Sequence, residues 1–133
     1  MGEREQMSKH KSISKKKRIQ VYEKYQGHCA YCGCELEYKD MQVDHIKSVY
    51  LHNDYNDDMT EDELYDISNL MPACRMCNFY KSEGDIEQLR NRLSDELIRN
   101  MRKPFDYRLA LKYGLIQENI HSIIFYFEES VSK

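Results

Sequence analysis

Two short extended stretches set among helical patterns, with two cysteine doublets bracketing them, predict a small α+β domain closed by a metal clamp. The doublets are Cys29-Ala30-Tyr31-Cys32 and Cys74-Arg75-Met76-Cys77. Four thiolates in two C-x2-C pairs complete a tetrahedral zinc site, and zinc filled this way has no open position for chemistry. The metal is then a staple. The stretch 33–73 between the doublets is far longer than the roughly 15 to 20 residues of an ordinary zinc ribbon, so something folded lies between them.

At 133 residues the chain is expected to form one compact domain with extensions. With 41% hydrophobic and 32% charged residues the core must be small, and a metal clamp offsets the shortage of burial. Five cysteines without a secretory signal point to a reducing compartment, hence a cytoplasmic protein. No apolar run approaches the roughly 20 residues that cross a bilayer. The net charge of −3 is unevenly spread: residues 1–25 carry eight Lys/Arg against three Glu, and residues 35–66 carry eleven acids against two lysines. The basic end can hold phosphates, while the acidic stretch repels them.

Along the chain, residues 1–12 read as a disordered arm. A helix starts after Ser12 or Ser14 and ends at Gly27. His28 to Cys34 forms a tight knuckle, and Met41 to Val49 a strand with Val43 and His45 on one face and Asp44 on the other. Residues 52–66 form an acidic loop, in which Thr60-Glu61-Asp62-Glu63 has the capping-box pattern and predicts a short helix over 61–66. A second extended piece covers Ile67 to Met71 and is broken by Pro72. A helix from Cys74 carries Cys77, Asn78 and Lys81. After Gly84-Asp85, a helix over 85–102 shows an apolar stripe at Ile86, Leu89, Leu93, Leu97 and Met101. A further helix covers 105–113, closed by Gly114, and Ile123 to Phe127 reads as a buried strand or a docking segment. These elements divide into a basic arm and helix (1–26), a core (27–83) and a helical extension (84–133).

The ordered set Cys29-x2-Cys32, Val43-Asp44-His45-Ile46, Ser68-Asn69-Leu70 and Cys74-x2-Cys77-Asn78-x2-Lys81 resembles the HNH endonuclease family over residues 28–82. The resemblance implies a ββα-metal (His-Me finger) core, here stapled by a four-cysteine zinc site formed by Cys29, Cys32, Cys74 and Cys77. It implies a DNA endonuclease leaving 5′-phosphate and 3′-hydroxyl ends. It assigns the catalytic Mg2+ or Mn2+ to Asp44 and Asn78, the general base to His45 and its orientation to Asn69. The commonest family pattern ends in His where this chain has Asn78. Asn is a variant within the family, and it makes the site all-oxygen, favouring magnesium or manganese over softer metals.

The chemistry agrees with those roles. Hydrolysing a phosphodiester needs a water stripped of a proton, and an imidazole with a pKa near neutrality suits that task. An amide oxygen accepting from Nδ1–H would fix its tautomer. The leaving 3′-oxygen develops negative charge that a hard cation neutralises. Lys81, one turn from Asn78, together with Arg75 and the Lys15-Lys16-Lys17-Arg18 run, supplies candidate DNA contacts. By default these are solvated helix residues, and Cys34, outside the pattern, is a plain small residue. Double-stranded DNA is the expected partner, with a homodimer or a larger phage, mobile-element, restriction or defence assembly beyond it and no membrane. The competing reading is a zinc-stapled nucleic-acid-binding or adaptor protein with weak or no nuclease activity. In either case the acidic loop is expected to fold away or to regulate access.

Overall fold

Ser14 opens the first helix, α1 (Lys15–Lys24), its hydroxyl accepting from the Lys17 amide at 3.2 Å. The computed structural model describes residues 12–47 and 59–131, so all but Ser12 of the expected arm over 1–12, and the part 52–58 of the expected acidic loop over 52–66, lie outside the described residues. Val21 is the one α1 residue that is buried, where it meets Met41 and Leu70. Such a polar helix is fastened by its cations. Lys17 Nζ donates to Tyr65 O (2.8 Å), Arg18 to Tyr38 O (2.9 Å) and Met41 O (2.8 Å), and Lys24 Nζ to Ile67 O (2.9 Å) and Leu70 O (2.8 Å).

After α1 the chain makes its knuckle. Cys29 N–H donates to Cys34 O (2.9 Å) and Gly33 N–H to Cys29 O (3.0 Å). Gly33 has φ +80°, and a Cβ there would stand 2.7 Å from Tyr126 Cδ1, so both the turn and the overlying ring require glycine.

Strand β1 (Gln42–His45) follows and pairs antiparallel with a later strand, the register setting Asp44 opposite Met71 and His45 opposite Leu70. The strand is shorter than the sequence suggests, since the chain bends at 46–47 and residues 48–49 lie outside the described residues. Helix α2 (Glu61–Leu64) carries both bonds of the Thr60/Glu63 capping box, but ends two residues before the expected limit. The second extended piece is also displaced. Ile67–Asn69 is a 3-10 turn, and strand β2 (Leu70–Ala73) runs through Pro72 rather than stopping there. Pro72 sits opposite Val43, and its carbonyl points away from β1 to accept the Ala30 amide at 2.8 Å. The residue's nitrogen faces that same outer side, where the ladder needs no donor, so proline is tolerated.

Cys74 then caps α3 (Arg75–Lys81), which packs across β1 and completes a two-stranded sheet plus helix. This is the ββα arrangement, with the cysteines at one end. Next comes one continuous helical run: α4 (Ile86–Asn91), a π turn over Arg92–Glu96, and α5 (Leu97–Met101). The π turn adds a residue to the repeat, so the apolar stripe loses its line and Leu97 is 40% exposed. Helix α6 (Phe105–Lys112) buries no residue and closes in a Schellman motif, with Gly114 N–H on Leu111 O and Leu115 N–H on Ala110 O. The tail then returns to the knuckle. Phe125 is buried beside Tyr31, Tyr126 N–H donates to Tyr31 O, and Phe127 N–H to Ala30 O. Residues 123–125 belong to no strand or helix, and Tyr126 begins α7 (Tyr126–Val131). The Ile123–Phe127 segment is therefore no strand, and it docks on this chain's own knuckle. No helix among the described residues is long and apolar enough to cross a membrane.

Candidate nuclease site and zinc centre

The knuckle and the N-terminus of α3 bring the sulfurs of Cys29, Cys32, Cys74 and Cys77 within 4.8 Å of one another. Cys32 Sγ and Cys74 Sγ are 3.9 Å apart, close to the edge of about 3.8 Å that a tetrahedron with Zn–S of about 2.3 Å requires. Without a cation the four thiols divide their protons unequally. The Cys77 thiol, donating to Cys29, draws the Cys29 pKa down to about 4, while Cys77 itself is pushed far up. A central cation removes that conflict by letting every sulfur ionise, so the donor set fits zinc. Cys34 is exposed and outside the cluster, and partial desolvation together with its hydrogen bond to Cys32 pushes its pKa up to about 12.

The pleat of β1 separates Asp44 from His45. Val43 joins the Val21 cluster and the His45 ring meets Tyr65 edge-on at 5.0 Å, while Asp44 faces α3 and the knuckle. Asp44 is 6% exposed and His45 7%. The Asp44 carboxylate accepts from Tyr31 Oη at 2.5 Å and is ion-paired to Lys81 Nζ at 3.0 Å, both through Oδ2. Burial raises the Asp44 pKa, with the Lys81 charge and the Tyr31 hydrogen bond pulling it back. Burial and the Asp44 charge raise that of Tyr31, which keeps its proton and donates.

Asn78 lies on α3 three residues before Lys81, so the two share a helix face. Lys81 fixes that face against β1, and the half-buried Asn78 side chain makes no hydrogen bond among the described residues. Asp44 thus faces the helix that also carries Asn78, and a carboxylate with an amide oxygen is the kind of donor set a hard divalent cation takes.

Asn69 behaves differently from the expected amide–imidazole contact. Its Oδ1 accepts from Lys47 N–H (3.0 Å), and its Nδ2 donates to Lys47 O (3.2 Å) and Leu64 O (2.9 Å). The amide clamps the backbone two residues beyond His45. Two carbonyls and an N–H close to a buried amide outcompete a ring.

The candidate DNA contacts also sort by burial. Lys81 is 1% exposed, its ammonium held by Asp44 and by His45 O at 3.0 Å, so it is an internal cation rather than a surface phosphate clamp. Lys17 and Arg18 are engaged with backbone carbonyls, whereas Lys15, Lys16 and Arg75 are exposed. Two residues at the site carry no sequence signal of their own. Tyr31 is visible only as the spacer between two cysteines, and Tyr65 only as one of eleven tyrosines.

Against known proteins, the family model described as HNH endonuclease matches residues 29–84. No curated protein matches. Among solved structures, the crystal structure of the Type II-C Cas9 enzyme from Actinomyces naeslundii is similar, with TM-score 0.46 and 21% sequence identity. The likeness covers 84% of this chain and 12% of that one, so the present chain spans a small part of that enzyme's length. The cysteine clamp, the Asp-His strand and the Asn-bearing helix all fall inside residues 29–84, the segment that the HNH endonuclease model matches.

Proposed function

We propose that this chain is a metal-dependent DNA endonuclease that hydrolyses phosphodiester bonds to 5′-phosphate and 3′-hydroxyl ends. The observation that carries the reading is the buried Asp44 carboxylate, facing the helix that presents Asn78 while His45 projects from the other face of the same strand. Asp44 and Asn78 would hold Mg2+ or Mn2+, which supplies charge neutralisation at the leaving oxygen. His45 accepts the proton of the attacking water. Asn69 keeps β1 in register for that task by clamping Lys47. At 7% exposure the imidazole presents little open surface. The exposed Lys15, Lys16 and Arg75 are the cations open to phosphates. The zinc staple, a double-stranded substrate and a cytoplasmic setting complete the reading.

The test is cleavage of supercoiled plasmid by zinc-loaded protein with magnesium, manganese or chelator. His45→Ala should lower the rate by about 10²- to 10⁴-fold, the usual share of a general base, while zinc content stays at one equivalent. Equal rates for wild type and variant would reject the reading. A second reading, a nucleic-acid-binding or adaptor protein, is favoured by the apolar face around Met76 (81% exposed) and Phe79 (82%) on α3. Salt-dependent DNA binding without metal-dependent cutting selects it.

A further inference from the structure

Asp44 Oδ2 has two donors, and they come from places with different duties. Tyr31 stands between two of the clustered cysteines, so the position of its hydroxyl is set by the knuckle. Its ring packs edge-to-face on both Phe125 (5.7 Å) and Phe127 (6.2 Å), while its hydroxyl donates to Asp44. Lys81 comes from the helix that bears Asn78. Its side chain is fully shielded from solvent, and its ammonium is held by Asp44 and the His45 carbonyl. The His45 backbone is a further partner of the carboxylate, and with Oδ2 taken by both side chains Oδ1 is the oxygen they leave for a divalent cation.

The two donors should act on that cation in opposite senses. A neutral hydroxyl fixes the carboxylate's rotation without opposing a positive charge, as outer partners of metal ligands do. A buried ammonium on the same carboxylate also fixes it, but repels a second cation across a short, poorly screened distance. We propose that Tyr31 and Lys81 are opposed positioning residues of Asp44. Tyr31 ties the carboxylate to the zinc knuckle and promotes cation binding, while Lys81 holds the cation off until an anionic phosphate joins the two positive charges. The inference rests on the nuclease reading for the identity of the cation site. It makes the staple and the catalytic centre one mechanical unit rather than two neighbours.

The experiment measures Mn2+ affinity by electron paramagnetic resonance on the zinc-loaded full chain without DNA. Tyr31→Phe keeps the ring packing and removes the hydroxyl. It should weaken Mn2+ about tenfold, the low end of the range for such outer partners. Lys81→Met keeps the buried stem and removes the charge, and it should bind Mn2+ several-fold more tightly than wild type. Both variants should retain one equivalent of zinc. Opposite signs are what simple destabilisation cannot give, since a loosened fold would weaken both. Unchanged affinity in Tyr31→Phe, or affinity no tighter in Lys81→Met, overturns the proposal, and Lys81→Met decides alone if Tyr31→Phe loses its zinc. Failure of the nuclease reading looks different: these affinities hold, but wild type cuts no plasmid. A wild type whose Mn2+ binding is indifferent to Asp44→Asn overturns both.

Discussion

The segment 28–84 and the segment 86–131 are both rich in short elements, yet they are held by unlike means. The first gathers Cys29, Ala30, Tyr31, Met71 and Ala73 into one buried cluster beside four convergent sulfurs. In the second, Leu89 and Phe125 are the buried residues among those described, and both belong to that same cluster. The rest of the second segment leans on ion pairs: Arg90 with Glu87 and Glu128, Arg92 with Glu96, Arg99 with Asp95, Arg102 with Glu118. Exposed pairs of this kind contribute only about 0–1 kcal/mol each. Meanwhile Phe105, Tyr113 and Leu115 remain more than 60% exposed. The difference shows a dependence that runs one way: the extension borrows its anchorage from the knuckle, whereas the knuckle is closed by its own sulfurs.

The strongest way to break this contrast is to remove the staple. Structural zinc contributes about 10–16 kcal/mol in small peptides, as much as the roughly 5–15 kcal/mol that holds an ordinary domain. Chelation, or Cys77→Ser, should therefore abolish the dispersed amide spectrum of β1, β2 and α3. It should release α7 as well, because Tyr126 and Phe127 bond to the carbonyls of Tyr31 and Ala30. Protection surviving in α7 after zinc removal would show that the extension stands by itself.

A smaller effect is expected from Lys24→Met, which tests whether cations act as core elements. The Lys24 ammonium satisfies the carbonyls of Ile67 and Leu70 at the mouth of β2, and burial lowers its pKa. Removing it leaves two acceptors poorly satisfied, at a cost of about 1–3 kcal/mol. Urea unfolding of the zinc-loaded protein reads this directly, and a change below about 0.5 kcal/mol would class Lys24 with ordinary surface lysines.

That cationic clipping is also where the sequence is least legible. The cysteine doublets, the opposed faces of Asp44 and His45, the capping box at Thr60, the helix bearing Cys77 and Asn78, and the Gly114 stop can all be read from spacing and residue type, because each is a local rule. Pro72 misleads because its effect depends on which edge of β2 faces a partner. Lys17, Arg18 and Lys81 resemble phosphate contacts because a cation's partner is chosen by tertiary proximity, and here backbone carbonyls and Asp44 are nearer. The Tyr31–Asp44 bond spans two elements, and no periodicity announces it.

Within the extension, Arg90 is the sharpest probe. Its guanidinium reaches Glu87, Glu128 and the Ile123 carbonyl while lying 4.9 Å over the Phe125 ring. Arg90→Lys keeps the charge but loses the fork. Amide exchange at Tyr126 and Phe127 should accelerate on the order of tenfold, corresponding to about 1.5 kcal/mol of charge-assisted bonding. Exchange in β1 and β2 should not change. Equal acceleration in the sheet would mean that the two segments open together.

The smallest expected effect lies at the far end of the extension. Glu118 accepts from Arg102 at 2.7 and 3.0 Å and from Tyr107 Oη at 2.8 Å, and these bonds, Arg102's foremost, hold its pKa down from 4.5 to about 2. For a carboxyl whose folded value is depressed, the stabilisation is fully present above the unfolded value and fades as pH falls toward the folded one. The contact joining α6 to the segment behind it should therefore contribute fully above about pH 4.5 and lose its contribution progressively as pH falls to about 2. At pH 4, where an unpaired glutamate is mostly protonated, the Glu118 carboxyl carbon should still show the chemical shift of the ionised form. Arg102→Gln should bring its titration back toward the ordinary glutamate range without disturbing the amide shifts of the knuckle. If the knuckle shifts follow Glu118, the coupling between the two segments is reciprocal after all.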